Sequence, residues 1–154
     1  MRTPALLATL TFELLLAFVP LIAADAEIAA IDRAKALLAS RGRIVAPVII
    51  IEEWPSGAPS PEAFALNGTI FVKSGGNILR AAVRSTVFNV VLASLLLHEH
   101  AHLLGADEHQ ALQVELDWLI SEKAGDDVIQ AARSSIRLEE RKRAKALASS
   151  PESK

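Results

Sequence analysis

The sequence predicts an α+β domain, and three observations carry that expectation. A β-branched run and an Asn-Gly hairpin signal sit close together, a long helix apolar around its whole circumference follows, and the overall order is helix, strands, then helices. Predicted elements that alternate strand and helix would instead argue for a parallel α/β sheet.

The first segment is of a different character. Arg2 precedes an apolar stretch from Ala5 to Ala24, and the small residues Ala24 and Ala26 follow, which is the pattern of a secretory signal. Residues 1–26 are therefore expected to direct export, periplasmic or secreted, with cleavage after Ala24 or Ala26. The alternative is an uncleaved membrane tether through residues 5–24, because about 20 apolar residues just span a bilayer. Glu13 sits awkwardly in either reading, since a carboxylate in an apolar segment costs roughly 2.5 to 3.5 kcal/mol on insertion scales.

Beyond it, Ile28, Ile31, Ala34, Leu37 and Leu38 recur at helical spacing up to Gly42, a stop signal. IVAPVIII, Ile44 to Ile51, reads as a strand, with Pro47 marking an edge or bulge because it cannot donate to a ladder. Trp54 to Pro61 is loop. AFALNGTIFV, Ala63 to Val72, places Asn67-Gly68 between apolar runs and predicts a hairpin. Lys73 to Asn77 is a further loop. A helix is expected from Ser85 or Thr86 to Leu104, buried because it is apolar all round. Gly105 ends it, Asp107 offers the N-cap of a helix over Glu108–Lys123, and the last helix runs from Asp127 to Leu147. These elements suggest a domain over 27–125 and a charged C-terminal helix and tail over 126–154.

Composition narrows the function classes. Without residues 1–26 the chain holds 15 basic and 16 acidic residues, a net charge of −1, so electrostatics makes no case for nucleic acid. The chain has no cysteine, which excludes disulfides and thiolate metal sites.

All four histidines, His98, His100, His102 and His109, lie within one short stretch. His98-Glu99-His100-Ala101-His102 contains H-E-x-x-H at the end of the apolar helix. Residues four apart on a helix differ by about 40° around the axis, so His98 and His102 can share one zinc ion. Glu99 then stands where a general base could deprotonate a water whose pKa zinc lowers towards ~7, leaving it able to attack a carbonyl. His100 lies about 200° from His98 and is expected to pack or hydrogen-bond elsewhere. A catalytic zinc needs a third protein ligand, and the candidates are Glu108, its neighbour His109, and Glu115, seven residues along the same helical face.

The eight positions from His98 to Gly105 resemble the zincin metallopeptidases. Metzincins place His or Asp where Glu108 stands and carry a Met-turn, whereas the only methionine here is Met1. His98 to Ala111 more closely resembles the gluzincins, in particular small peptidases with a minimal zincin fold; the likeness spans Thr69 to Leu119. It implies a zinc-dependent peptidase acting on peptide or protein substrates. It implies His98, His102 and Glu108 as metal ligands, Glu99 as the catalytic base and Glu115 as a group steadying a histidine. It also implies that Thr69, Ile70, Phe71 and Val72 form an edge strand to which substrate adds, the alternative being an ordinary core strand, with a buried active-site helix behind the sheet. His109 could serve as an oxyanion donor, a task often given to Tyr or His in zincins. The alternative is a non-catalytic zinc-binding or membrane-associated protein. The basic run Arg137, Arg141, Lys142, Arg143 and Lys145 reads as a solvated face, or else as a tail folded over the cleft.

Overall fold

A computed structural model describes residues 24–149. The segment expected to be a signal or tether lies almost wholly outside the described residues, as does the end of the C-terminal tail. Among the described residues no helix is long and apolar enough to cross a membrane.

Helix α1 occupies residues 24–40 and sends Ile31, Ala34 and Leu38 into the core as read from the sequence, together with Ala30, while Ile28, expected on the same face, is 52% exposed. It ends in a Schellman turn: Gly42 takes a left-handed φ of 68°, and Arg43 N–H bonds the Leu38 carbonyl at 3.0 Å. Three strands follow, β1 (Val48–Ile51), β2 (Ala63–Leu66) and β3 (Thr69–Lys73), in the order β1-β3-β2. β2 and β3 are antiparallel, joined by Asn67 (φ 49°) and Gly68 (φ 76°) in the predicted two-residue turn. β1 pairs with β3 in parallel.

Two strand expectations need correction. The first strand begins at Val48, not Ile44: Pro47 offers no N–H to a ladder, and Ile44 is 84% exposed. The stretch Thr69–Val72 is not an edge strand. It is paired on both sides, and its alternate residues Ile70 and Val72 are 0% and 1% exposed, as suits the middle strand of a sheet seated on a core. The free edges belong to β1 and β2. On the far face of the sheet Phe64 stacks on Phe71 at 5.0 Å and Trp54 packs edge-on against Phe64.

A short helix, α2 (Asn77–Arg84), was hidden behind the Gly-rich turn that precedes it. Ile78, Leu79, Ala82 and Val83 recur at helical spacing and all pack in or against the core. Glu62 accepts hydrogen bonds from the Asn77 and Ile78 amides at 3.1 and 3.2 Å, satisfying the start of α2. Gly76 permits this approach, since a Cβ there would meet Glu62 Oε2 at 2.6 Å. Glu27 on α1 plays the corresponding part for the turn itself, taking bonds from Ser74 Oγ and the Gly75 amide at 2.9 and 2.7 Å.

The long helix starts later than its composition suggests. Ser85 is extended, Thr86–Phe88 forms a 3₁₀ turn with Val87 76% exposed, and only then does α3 (Asn89–Leu103) begin. From there the expectation of burial holds: Leu92, Ala93, Ser94 and Leu96 are fully enclosed. Helices α4 (Glu108–Ser121) and α5 (Asp126–Ser149) complete the chain. Trp118 Nε1 donates to the Val90 carbonyl at 3.0 Å and pins α4 to α3. Ala132 and Ile136 of α5 join the same core as α1, the sheet, α3 and α4, so α5 packs as part of one body.

Candidate metal centre

The site is made by a helical hairpin. At the end of α3, Gly105 adopts φ 90° and Ala106 N–H bonds the Ala101 carbonyl at 3.0 Å, a second Schellman turn. Two residues later Asp107 caps α4 by a capping box, its carboxylate taking the Gln110 amide and the Gln110 side chain taking the Asp107 amide, each at 2.9 Å. The chain reverses within these few residues, so Glu108 comes back to His102 and Glu115, two turns on, to His98.

Three predicted ligands converge. His98 Nε2 and His102 Nε2 are 3.2 Å apart, and Glu108 Oε2 lies 3.8 and 3.3 Å from them; one donor atom from each falls within 4.8 Å of the others. Tetrahedral zinc bonds of ~2.0–2.2 Å set ligand atoms about 3.3–3.6 Å apart, so the spacing suits one such ion. The tautomers agree with this. His102 Nδ1 lies 3.0 Å from the Ala106 carbonyl, which can only accept, so Nδ1 carries the proton and Nε2 presents its lone pair. His98 Nδ1 lies 3.2 Å from Glu115 Oε2, again an acceptor, though the carboxylate is off the N–H axis and leaves that buried nitrogen without a well-formed hydrogen bond. The Nε2 atoms of His98 and His102 and the Glu108 carboxylate therefore face one another, a donor set that could hold a metal ion.

Glu115 and Glu108 thus reach the cluster by different doors. Glu108 meets the paired Nε2 atoms and Glu115 the opposite nitrogen of His98, where second partners of metal-bound histidines usually stand. His109 does not join them; its Nε2 is 3.5 Å from Glu140 on α5. His100 also turns away as expected, accepting from the Ala46 amide through Nδ1 at 3.3 Å, which ties α3 to the segment leading into β1.

Glu99 is 4% exposed and His98 8%. Burial raises the Glu99 carboxyl above the ordinary carboxylate range, and the neighbouring His98 and His102 only partly oppose it. For His98, burial disfavours the cation, but Glu115, then Glu99 and Glu108, outweigh it and hold the pKa above its usual value.

The cluster opens onto a cleft of about 260 Å³ lined by His98, Glu99, His102, Glu108 and Glu115, with Ser60, Glu62, Ile78 and Leu95 among its other walls. Glu62 and the loop before β2 were not legible in the sequence as site residues, because only the fold carries them across to α3. Among the described residues none of α5 lines this cleft; the last residues of the tail expected over it lie outside the described residues. A larger cavity of about 600 Å³, bounded by Arg41, Arg43, Trp118 and Glu122, lies elsewhere. Among the described residues the one group able to hold a metal is His98, His102 and Glu108, so ligand chemistry and not size selects the site.

No protein-family model, curated protein or solved structure matches the chain significantly.

Proposed function

We propose that the protein is a zinc-dependent hydrolase that cleaves peptide bonds, with His98, His102 and Glu108 as the metal ligands and Glu99 as the base. The observation that carries this reading is the convergence of the two Nε2 atoms and the Glu108 carboxylate on one point, with the buried Glu99 in the same cleft.

Zinc, when bound, acidifies water and polarises a substrate carbonyl. Glu99 would take the proton from the attacking water and pass it on to the departing amine nitrogen. Glu115 steadies the His98 ring, and the Ala106 carbonyl fixes the His102 tautomer. Peptide as substrate rests on the resemblance to zincins and on the place of the cleft. Pro59, Ser60 and Glu62, which lead into β2, line it, and β2 has a free outer edge along which an extended chain could add. That task passes to β2 from Thr69–Val72, which the sheet encloses.

The Glu99→Gln variant tests the proposal. It should retain one zinc per chain and lose hydrolysis of a casein or mixed-peptide substrate by at least about 100-fold, the lower range for removing a general base. Hydrolysis at the parental rate in Glu99→Gln sinks the mechanism. Zinc retained by both proteins, with neither cleaving any peptide, favours a non-catalytic zinc-binding protein.

A further inference from the structure

Glu108 has the most exposed side chain of the three proposed ligands. It is the first residue of α4, where a helix frays, its side chain is 48% exposed, and among the described residues its ion-pair partners are His98 and His102. Its two neighbours in sequence are both tied to α5. Asp107 Oδ1, besides accepting the Gln110 amide, accepts from Arg143 Nη2 at 2.7 Å, and His109 Nε2 meets Glu140 Oε1 at 3.5 Å. Arg143 is itself steadied by Glu139 at 3.4 Å, whose side chain is only 15% exposed. Two and three turns before Arg143, α5 is anchored in the core by Ile136 and Ala132.

We infer that Arg143 is a positioning residue for the metal centre, reaching from α5 to Asp107 and fixing the start of α4 where Glu108 meets His98 and His102. The inference rests on the proposed metal site. Arg143 touches neither metal nor substrate; it acts through the cap. The N-terminus of α4 is held from two directions. On one side the Gly105 turn ties it to α3, and on the other Arg143 ties it to a helix more than thirty residues further along the chain. Without the second tie, the cap keeps its local geometry through Gln110 but can swing about the turn, and the carboxylate of Glu108 swings with it. A basic residue at this point on α5 therefore has a use that a merely solvated face would not need. Arg133, Arg137 and Arg141 on the exposed side of the same helix make no ion pair with α4 among the described residues.

The test is titration of the full chain with Co2+ alone, read by the visible absorption of the bound ion, for the parent protein, Arg143→Ala, Arg143→Lys and Arg137→Ala. Arg143→Ala should raise the Co2+ Kd about threefold to tenfold, at the low end for loss of a supporting contact because the pair is partly exposed. Its absorption should weaken as water replaces a protein ligand in part of the population. Arg143→Lys should recover much of the affinity, and Arg137→Ala, on the outer face of α5, should match the parent. Should Arg143→Ala fail to fold, Asp107→Asn keeps the capping oxygen while giving up the charge and should raise the Kd by a smaller factor. A parent protein that binds one Co2+ and an Arg143→Ala variant with the same Kd and spectrum overturn this inference and leave the proposed function standing. A parent that takes up no Co2+ overturns both.

Discussion

His102 illustrates how much a single contact decides at the scale of one residue. Its Nε2 is available to a metal only because the Ala106 carbonyl sits 3.0 Å from Nδ1 and dictates which nitrogen keeps the proton. His100, two residues away, has the opposite arrangement, with Nδ1 as the acceptor, and so belongs to the scaffold. On the proposed reading the two acids divide the work in a way that can be measured. Glu108→Ala removes a donor from the converging set and should abolish stoichiometric zinc retention through gel filtration. Glu115→Gln leaves all three donors and should weaken zinc about 10-fold to 100-fold, the range for groups that orient a ligand. Isothermal titration distinguishes them, and a Glu115→Gln loss larger than that of Glu108→Ala would reverse the assignment.

At the scale of elements, the α3–α4 hairpin depends on its turn. Gly105 has open space around it, so nothing forbids a side chain there sterically; what forbids it is φ 90°. Gly105→Ala should cost about 1–2 kcal/mol from the left-handed backbone alone, read as a lower denaturant midpoint with an unchanged slope. Because the turn also delivers the Ala106 carbonyl, zinc affinity should fall with it. The Gly76→Ala substitution fails for a different reason. It crowds Glu62 and the Lys73 carbonyl, at 2.6 and 3.0 Å from the new Cβ, and should loosen the start of α2 and the cleft wall that Glu62 provides. The short length of α2, the Gly-Gly turn before it and the extended Ser85 after it explain why its apolar spacing did not stand out as a helix. The same break at Ser85 shortens α3, whose composition alone favours an earlier start.

For the whole molecule, stability rests on the single core beneath the sheet. Leu96 is fully buried there, two residues before His98, and Leu96→Ala should lower unfolding free energy by about 2–5 kcal/mol, measured by chemical denaturation. Closure of α1 onto α4 adds a pH-dependent component. Arg41 meets Glu122 through Nε at 2.7 Å and Nη2 at 3.1 Å, and this bond holds the Glu122 carboxyl below its ordinary range. A carboxylate depressed in the folded state contributes stability that is present above its unfolded pKa of about 4.3 and is lost as pH falls through the folded value. Arg41→Ala should therefore melt below the parent protein at pH 7, and the two melting temperatures should converge as pH falls through the depressed folded value of Glu122. A difference that persists unchanged in acid would assign the loss to packing.

The sequence by itself determined the mixed α+β class, the hairpin at Asn67-Gly68, the buried helix, its Gly105 stop and the pairing of His98 with His102. Each of these follows from local rules: backbone freedom at glycine and asparagine, apolar periodicity, and the angle between residues four apart on a helix. Only the tertiary structure decided that Thr69–Val72 lies inside the sheet, that Glu108 and Glu115 approach different nitrogens of His98, and that Glu62 and Arg143 belong near the site at all. Those facts depend on contacts between segments distant in the chain. Such contacts are set by how the strands order themselves over the core and how the helices dock, and no spacing within a single element encodes them.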